Sequence, residues 1–167
     1  MVITAATPRP PQHGTDGLPP LVRRARLHDA PALHALSLAF IRSGALRPRS
    51  VDHYLAHAGE FLLATRRGRT SALGCLALGD EGDGVAVLYN FCVAQGNQGQ
   101  GLGAALLRAA LADARYRRVR EVFTATTGGA SFFRRHGFVP AGPGRAPAAW
   151  AAALDPARGS EVLSRRL

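Results

Sequence analysis

The stretch Gln98-Gly99-Gln100-Gly101-Leu102-Gly103 constrains this chain more than any other. It follows a β-rich run, Val85 to Val93, and leads into Ala104 to Tyr116, where Leu106, Leu107, Ala110 and Leu111 share one face of a helix. A strand that turns through glycines into a helix is a phosphate-binding arrangement. Glycine lets the backbone approach an anion, successive amides point inward, and the helix N-terminus adds positive potential. A nucleoside-triphosphate loop would need Gly-Lys-Ser/Thr, and the chain has no lysine. A dinucleotide loop would follow the first strand of a parallel sheet, with an acidic residue about 20 positions on at a strand end. Glu121 stands at that distance but begins its strand, and the loop lies mid-chain behind a hairpin. Neither class fits, and a third kind of phosphate-binding loop remains.

The 167 residues have the length of one domain with its own core. Residues 1–20, with Pro8, Pro10, Pro11, Gly14, Gly17, Pro19 and Pro20, read as a disordered tail, and 21–167 as the folded domain. Val22 to Leu27 suits an edge strand. Asp29 and Pro31 open a helix carrying Leu33, Leu36, Phe40 and Ile41, which Gly44 stops; Ser50 caps a second helix through Tyr54 and Leu55. Phe61 to Arg66 and Ser71 to Leu78 pair as a hairpin about Arg67-Gly68, and a loop from Gly79 to Gly84 leads to Val85. Val119 to Ala125 is a strand, Ala130 to His136 a short helix, and Phe138-Val139 the start of another strand. Residues 140–149 read as loop, Trp150 to Leu154 as helix, and Glu161 to Leu167 as a last strand. The order β-α-α-β-β-β-α-β-α-β indicates an α/β sandwich: a mixed, mostly antiparallel sheet flanked by helices.

No apolar run approaches the roughly 20 residues that cross a bilayer. Met1-Val2-Ile3-Thr4 does not open a secretory leader, so a cytoplasmic protein without a membrane partner is expected. Cys75 and Cys92 lie in apolar runs and read as buried free thiols. The charge of +10 comes entirely from arginine in a chain rich in Ala, Gly and Pro, a pattern that coding bias also produces. It is read as a solvated basic surface, with no nucleic-acid partner expected. His53 and His57 lack the glutamate of a zinc-protease motif and a third ligand, so no metal site is expected there. They read as exposed helix residues.

Gln98-x-x-Gly101-x-Gly103, after a strand and opening a helix, resembles the Arg/Gln-x-x-Gly-x-Gly/Ala pyrophosphate loop of the GNAT superfamily of N-acyltransferases. Phe132-Phe133-Arg134-Arg135-His136-Gly137-Phe138 is similar to that family's downstream aromatic-x-x-x-Gly-Phe segment. The resemblance implies the GNAT acyl-CoA N-acyltransferase fold and acetyl-CoA (coenzyme A) as co-substrate, with no metal. It also implies that the strand before the loop splays from its parallel neighbour. Backbone amides of Phe91, Cys92 and Val93 would then hold the pantetheine arm and polarise the thioester carbonyl, and those of Gln98, Gly99, Gln100, Gly101, Gly103 and Ala104 would take the pyrophosphate. Phe132 and Phe133 either meet the coenzyme or pack in the core.

Residues 22–165 more specifically resemble the short amino-acid N-acetyltransferases similar to N-acetylglutamate synthase. Arg47-Pro48-Arg49-Ser50 stands where that family carries a Leu-Pro-Arg-Ser-like element near its amino-acid site. Arg49 would pair with an acceptor carboxylate, or else stand as a surface arginine. Trp150, after Pro147, matches a Pro-x-x-Trp-like element and either contacts the acceptor or closes the core. The chain departs from the family where Val87 and Tyr89 replace an acidic and a basic residue, which removes anchors for glutamate. Of Tyr89 and Asn90, one is expected to face the cleft and bond the acceptor. Phe133 stands where many members use a tyrosine to protonate the leaving thiolate. Glu81 and Asp83 lie on what reads as a flexible loop, so no base is assigned. The expected function is acetyl transfer to an amino acid or similar small amine, with a homodimer compatible. The alternatives are acylation of a peptide terminus or natural-product amine, and a non-catalytic acyl-CoA-binding module.

Overall fold

A computed structural model describes residues 20–66, 71–142 and 144–167; residues 1–19 of the expected tail and the Arg67-Gly68 turn lie outside them. Seven strands form one sheet in the order β1-β2-β3-β4-β5-β7-β6: β1 Leu21–Arg24, β2 Phe61–Thr65, β3 Ala72–Gly82, β4 Val85–Val93, β5 Glu121–Thr126, β6 Val139–Pro140 and β7 Glu161–Arg166. Every neighbouring pair is antiparallel except β4 and β5. Helices α1 (Ala30–Arg42) and α2 (Val51–Ala56) cover one face of the sheet, and α3 (Leu102–Tyr116) and α4 (Ala130–Arg135) the other; α5 (Ala148–Ala152) precedes β7. None of the described helices is long and apolar enough to cross a membrane.

The two faces have separate cores. Leu102, Leu106, Leu107, Ala110, Leu111 and Ala114 of α3 recur at helical spacing and bury against Leu76, Leu88, Phe91 and Phe138. On the other face Leu33 and Phe40 of α1 pack with Tyr54, Phe61, Leu63, Cys75 and Cys92. The two cysteines are buried free thiols opposite one another across β3 and β4, with sulfurs 3.6 Å apart.

Several element boundaries differ from the sequence reading: β5 starts and ends later than Val119 to Ala125, β6 starts after Phe138, and α5 starts and ends earlier than Trp150 to Leu154. Three others carry a physical reason. Strand β1 ends at Arg24, because Asp29 accepts from the Arg26 amide at 2.8 Å and from both terminal nitrogens of Arg23 at 2.7 and 2.8 Å. That carboxylate therefore caps the short 3-10 turn Leu27–Asp29 and not α1 itself. Helix α3 begins at Leu102, inside the glycine segment. The expected loop from Gly79 to Gly84 is mostly strand: β3 runs to Gly82, which pairs with Val85 across Asp83-Gly84. Both turn residues have positive φ, 49° and 71°, the requirement of a two-residue hairpin turn matching the strand twist.

Candidate active site

Strands β4 and β5 part company halfway. Their parallel register runs from Val85↔Glu121 to Leu88↔Thr124. Beyond it, β5 stays with β7 as far as Thr126↔Glu161, while β4 stays with β3 as far as Gly74↔Val93. A bulge marks the divergence: Cys75 pairs with Cys92 and Ala77 with Tyr89, so Asn90 and Phe91 together oppose Leu76. Asn90 takes φ 48°, a conformation that asparagine tolerates better than most residues. Its side chain is 7% exposed, accepts from the Tyr54 hydroxyl at 3.3 Å and donates to Ser37 Oγ at 3.2 Å. Asn90, one of the two residues of which one was expected to meet an acceptor, thus holds the bulge against α1 and α2 while also bordering a cavity beside the sheet.

Two cavities lie beside the parting strands. The larger, about 510 Å³, is walled by residues of the α1–α2 loop, β3, β4 and the segment around α5. The smaller, about 330 Å³, lies between the end of α1 and Gln95 and Gln98. Ala45 and Thr127 border both, so the two cavities adjoin where the strands part.

The smaller cavity reaches the glycine loop. Gly99 and Gly101 have φ 76° and 77°, and a Cβ at either would meet nothing within 4 Å. The loop is therefore an open cradle whose turn needs left-handed residues, with Gly101 as the N-cap of α3. The first helical amides, from Leu102 to Ala104, have no intrahelical carbonyl to bond and face the same end as the positive pole of α3. Gln98 donates from its side chain to the Val93 carbonyl at 2.9 Å and Gln100 to that of Gly96 at 3.1 Å, pinning the loop to the strand end. This backbone suits a pyrophosphate.

Phe91 supports the cradle from below, since a Cβ on Gly103 would lie 3.5 Å from its ring. Phe132 and Phe133 pack edge-on against Phe91 and are 8% and 0% exposed. Phe133 is core, facing Phe138, so its ring does not reach a ligand in the cleft; of the two expected coenzyme contacts only Phe132 has any exposed surface.

The larger cavity gathers polar groups from distant parts of the chain. The Tyr89 side chain faces it and donates its hydroxyl to Glu60 Oε2 at 2.6 Å. Glu60 Oε1 lies 2.7 Å from His57 Nδ1; an ionised carboxylate only accepts, so that nitrogen carries the hydrogen. Burial, followed by the bond to Glu60 and that residue's charge, raises the Tyr89 phenol far above its usual range and keeps it a donor. Arg49 lies with its guanidinium carbon 5.0 Å over the Tyr89 ring and a terminal nitrogen 2.9 Å from His53 Nε2. Among the described residues no carboxylate pairs with it. Burial, then the positive charge of Arg49, lowers the His53 imidazole below its ordinary value, favouring the neutral ring that can accept from Arg49.

Trp150 lies on the wall, tilted against Phe123 at 6.5 Å, and so both lines the cavity and packs on the sheet. Arg47 donates to the Ala153 carbonyl at 2.6 Å, and Arg158 to the Gly44 and Ala45 carbonyls at 2.9 Å each. These bonds join two segments that each wall the cavity, closing it on that side. Sequence reasoning missed Glu60, Arg47 and Arg158, and took His53 and His57 for exposed bystanders. They are half-buried, ring centroids 4.4 Å apart, on the cavity wall. Glu81 and Asp83 are not on a flexible loop: Glu81 lies in β3, next to its last residue Gly82, and Asp83 forms the hairpin turn.

Comparison with known proteins agrees with this geometry. The acetyltransferase (GNAT) domain family matches residues 57–140. An uncharacterised N-acetyltransferase of Chlorobaculum tepidum is 30% identical over 117 residues, covering 70% of this chain and 74% of that protein. N-acetylglutamate synthase of Neisseria gonorrhoeae, solved with coenzyme A and N-acetyl-glutamate, superposes with a TM-score of 0.81 at 25% identity. That match covers 91% of this chain but 36% of the synthase, so the chain spans about a third of that protein's length. Rv2747 of Mycobacterium tuberculosis, solved with coenzyme A, shares the fold at 23% identity and a TM-score of 0.76, with 89% and 99% of the two chains covered. The chain belongs to the GNAT family of acetyl-CoA-dependent N-acetyltransferases.

Proposed function

We propose that the acceptor is an amino acid or a small amine of similar charge pattern. The observation that carries this is the placement of Glu60 and Arg49 about one phenol, Tyr89, in a cavity that opens onto the splay. An ammonium beside Glu60 and a carboxylate beside Arg49 would complement both charges, Arg49 offering a planar pair of donors. The wall closed by Arg47 and Arg158 favours a small molecule over a polymer. The synthase solved with N-acetyl-glutamate supports an amino-acid acceptor, while Val87 in place of an acidic residue argues for a side-chain preference other than glutamate.

On this reading the amides of Gln98 to Ala104 hold the pyrophosphate, and β4 from Phe91 to Val93 lies along the pantetheine arm, its amides directed at the thioester carbonyl. Acetyl-CoA supplies an activated acyl group, and a neutral amine from the larger cavity attacks it directly. The test is release of coenzyme A thiol from acetyl-CoA across the amino acids, with simple amines and peptides beside them. Release with free amino acids and not with their esters supports the reading; release with peptides or amines lacking a carboxylate overturns it.

A further inference from the structure

We infer that Glu60 is the base that takes the proton from the acceptor ammonium, with His57 and Tyr89 as the groups that position it; this rests on the amino-acid reading above. A residue on β4 could supply a carboxylate to this cavity, but β4 offers Val87 and Tyr89. The Glu60 side chain fills that place from across the sheet. It stems from the turn Ala58–Glu60 before β2 and passes over Gly79 of β3: a Cβ on Gly79 would lie 3.3 Å from Glu60 Oε2, 3.3 Å from the Tyr89 ring and 3.4 Å from Val87 Cγ2. The carboxylate therefore stands beside Val87 because position 79 has no side chain.

The carboxylate has what a base in this cavity needs. Each oxygen is fixed by one hydrogen bond, from His57 and from Tyr89, which sets its orientation, and each retains a lone pair for the ammonium. Its side chain is 34% exposed, so a proton taken from the acceptor has a way to water. His53, His57 and Arg49 approach it from the α2 side, Tyr89 from β4, and Asp80 and Glu81 of β3 line the same cavity. Asp155, Arg47 and Arg158 also line it, from the far wall. Asp80 is paired with Arg117 at 3.0 Å and capped by the Gly82 amide at 2.9 Å, and Asp155 accepts from the Ala157 amide at 3.0 Å; Glu60 is the lining carboxylate bonded by two side chains of the same cavity, His57 and Tyr89. The step balances without a further reactant. One N–H bond of the ammonium breaks and its proton goes to Glu60. The freed lone pair forms the bond to the acetyl carbon, the nitrogen, cationic once bonded, loses a second proton to water, the carbon–sulfur bond breaks with its pair going to sulfur, and the thiolate takes up a proton from water in exchange. Glu60 returns its own proton to solvent.

Glu60→Gln tests this in the whole chain, using the best acceptor found for the wild type. At pH 7.5 kcat is expected to fall by about 10²–10⁴, with acetyl-CoA affinity within twofold of wild type. The deficit should shrink as pH rises toward the acceptor amine's own pKa, because solvent then supplies neutral amine. A purely structural role for Glu60 gives no such recovery. Tyr89→Phe keeps the ring under Arg49 and removes only the hydroxyl; added to Glu60→Gln it should cost nothing further, both acting through one carboxylate. A Glu60→Gln enzyme within threefold of wild type with an unchanged pH profile overturns the assignment and leaves the amino-acid reading standing. A wild type that acetylates no amino acid overturns that reading instead. Should Glu60→Gln fail to fold, Tyr89→Phe alone decides: unaltered kcat overturns the proposal, and a fall in kcat at constant acetyl-CoA affinity supports it.

Discussion

Replacing Asn90 by alanine and by glycine separates two contributions to the splay. Either change leaves the Tyr54 hydroxyl, buried at 0% exposure, without the acceptor it now has. An unpaired buried polar group costs about 1–3 kcal/mol. Alanine adds the left-handed penalty at φ 48°, about 1–2 kcal/mol. Glycine escapes that penalty but gives up about 0.5–1 kcal/mol to its freer unfolded chain. Asn90→Ala is therefore expected to lose about 2–5 kcal/mol and Asn90→Gly to keep about 0.5–1 kcal/mol of that. For a chain of this size each kcal/mol moves Tm by about 2–4 °C, so Asn90→Ala should melt roughly 4–20 °C early. Urea unfolding at pH 7, with acetyl-CoA titrated calorimetrically into the folded fraction, reads both consequences. Affinity should fall in the alanine variant more than in glycine, because the bulge sets where Phe91 to Val93 point. If alanine proves as stable as glycine, the positive φ is not holding the strand and the account of the splay is wrong.

Asp29 should make the protein sensitive to acid. The Arg23 guanidinium, followed by the Arg26 amide, offsets burial and holds its carboxyl at about 2, below an ordinary aspartate. A depressed folded value means stability present above about pH 4 and lost as pH falls toward 2, worth up to about 2.5 kcal/mol. Asp29→Asn should flatten urea midpoints across that window; an unchanged slope refutes the pairing. Gly101→Arg should weaken acetyl-CoA binding at least about tenfold by placing bulk in the open cradle, with a Tm loss of a few degrees from about 1–2 kcal/mol of strain at φ 77°. Unaltered affinity by calorimetry would remove the loop from the binding site. Arg49→Ala should raise the acceptor KM about 10- to 100-fold and leave acetyl-CoA affinity intact, and lysine should recover little of the loss because it lacks the planar fork. A lower kcat at constant KM would contradict a role in carboxylate binding.

What the sequence made legible was local. The glycine loop, the stripe on α3 and the caps at Gly44 and Ser50 each depend on residues within a few positions of one another, and each appears where expected. Asp83-Gly84 was equally local, the dipeptide for a two-residue hairpin turn, but the glycines and acids around it gave the appearance of a flexible loop. The early end of β1 was not local in the same sense. Val22 to Leu27 alternates well enough, and only the Arg23–Asp29 pair shows why the chain leaves the sheet after Arg24. Asn90 was visible as a polar residue in an apolar strand. Its role depended on Ser37 and Tyr54, 53 and 36 positions away.

Glu60 was hidden for a related reason. A single acid before a strand has no signature, and the histidine three residues earlier is as common on a solvated turn. Its meaning comes from sheet register: Phe61↔Ala77 and Gly79↔Val87 place β2, β3 and β4 so that a side chain starting at Glu60 crosses Gly79 to reach β4. Reading along β4 alone, Val87 counts as a lost carboxylate. Reading across the sheet, a carboxylate that starts beside β2 reaches the same cavity over Gly79. Chemistry needs a charge at a point in space, and the sheet lets that charge be supplied from any strand whose neighbour is small enough to pass it. A missing motif residue on one strand is thus weak grounds for doubting amine chemistry, whereas a glycine facing it on the next strand is a reason to look one strand further.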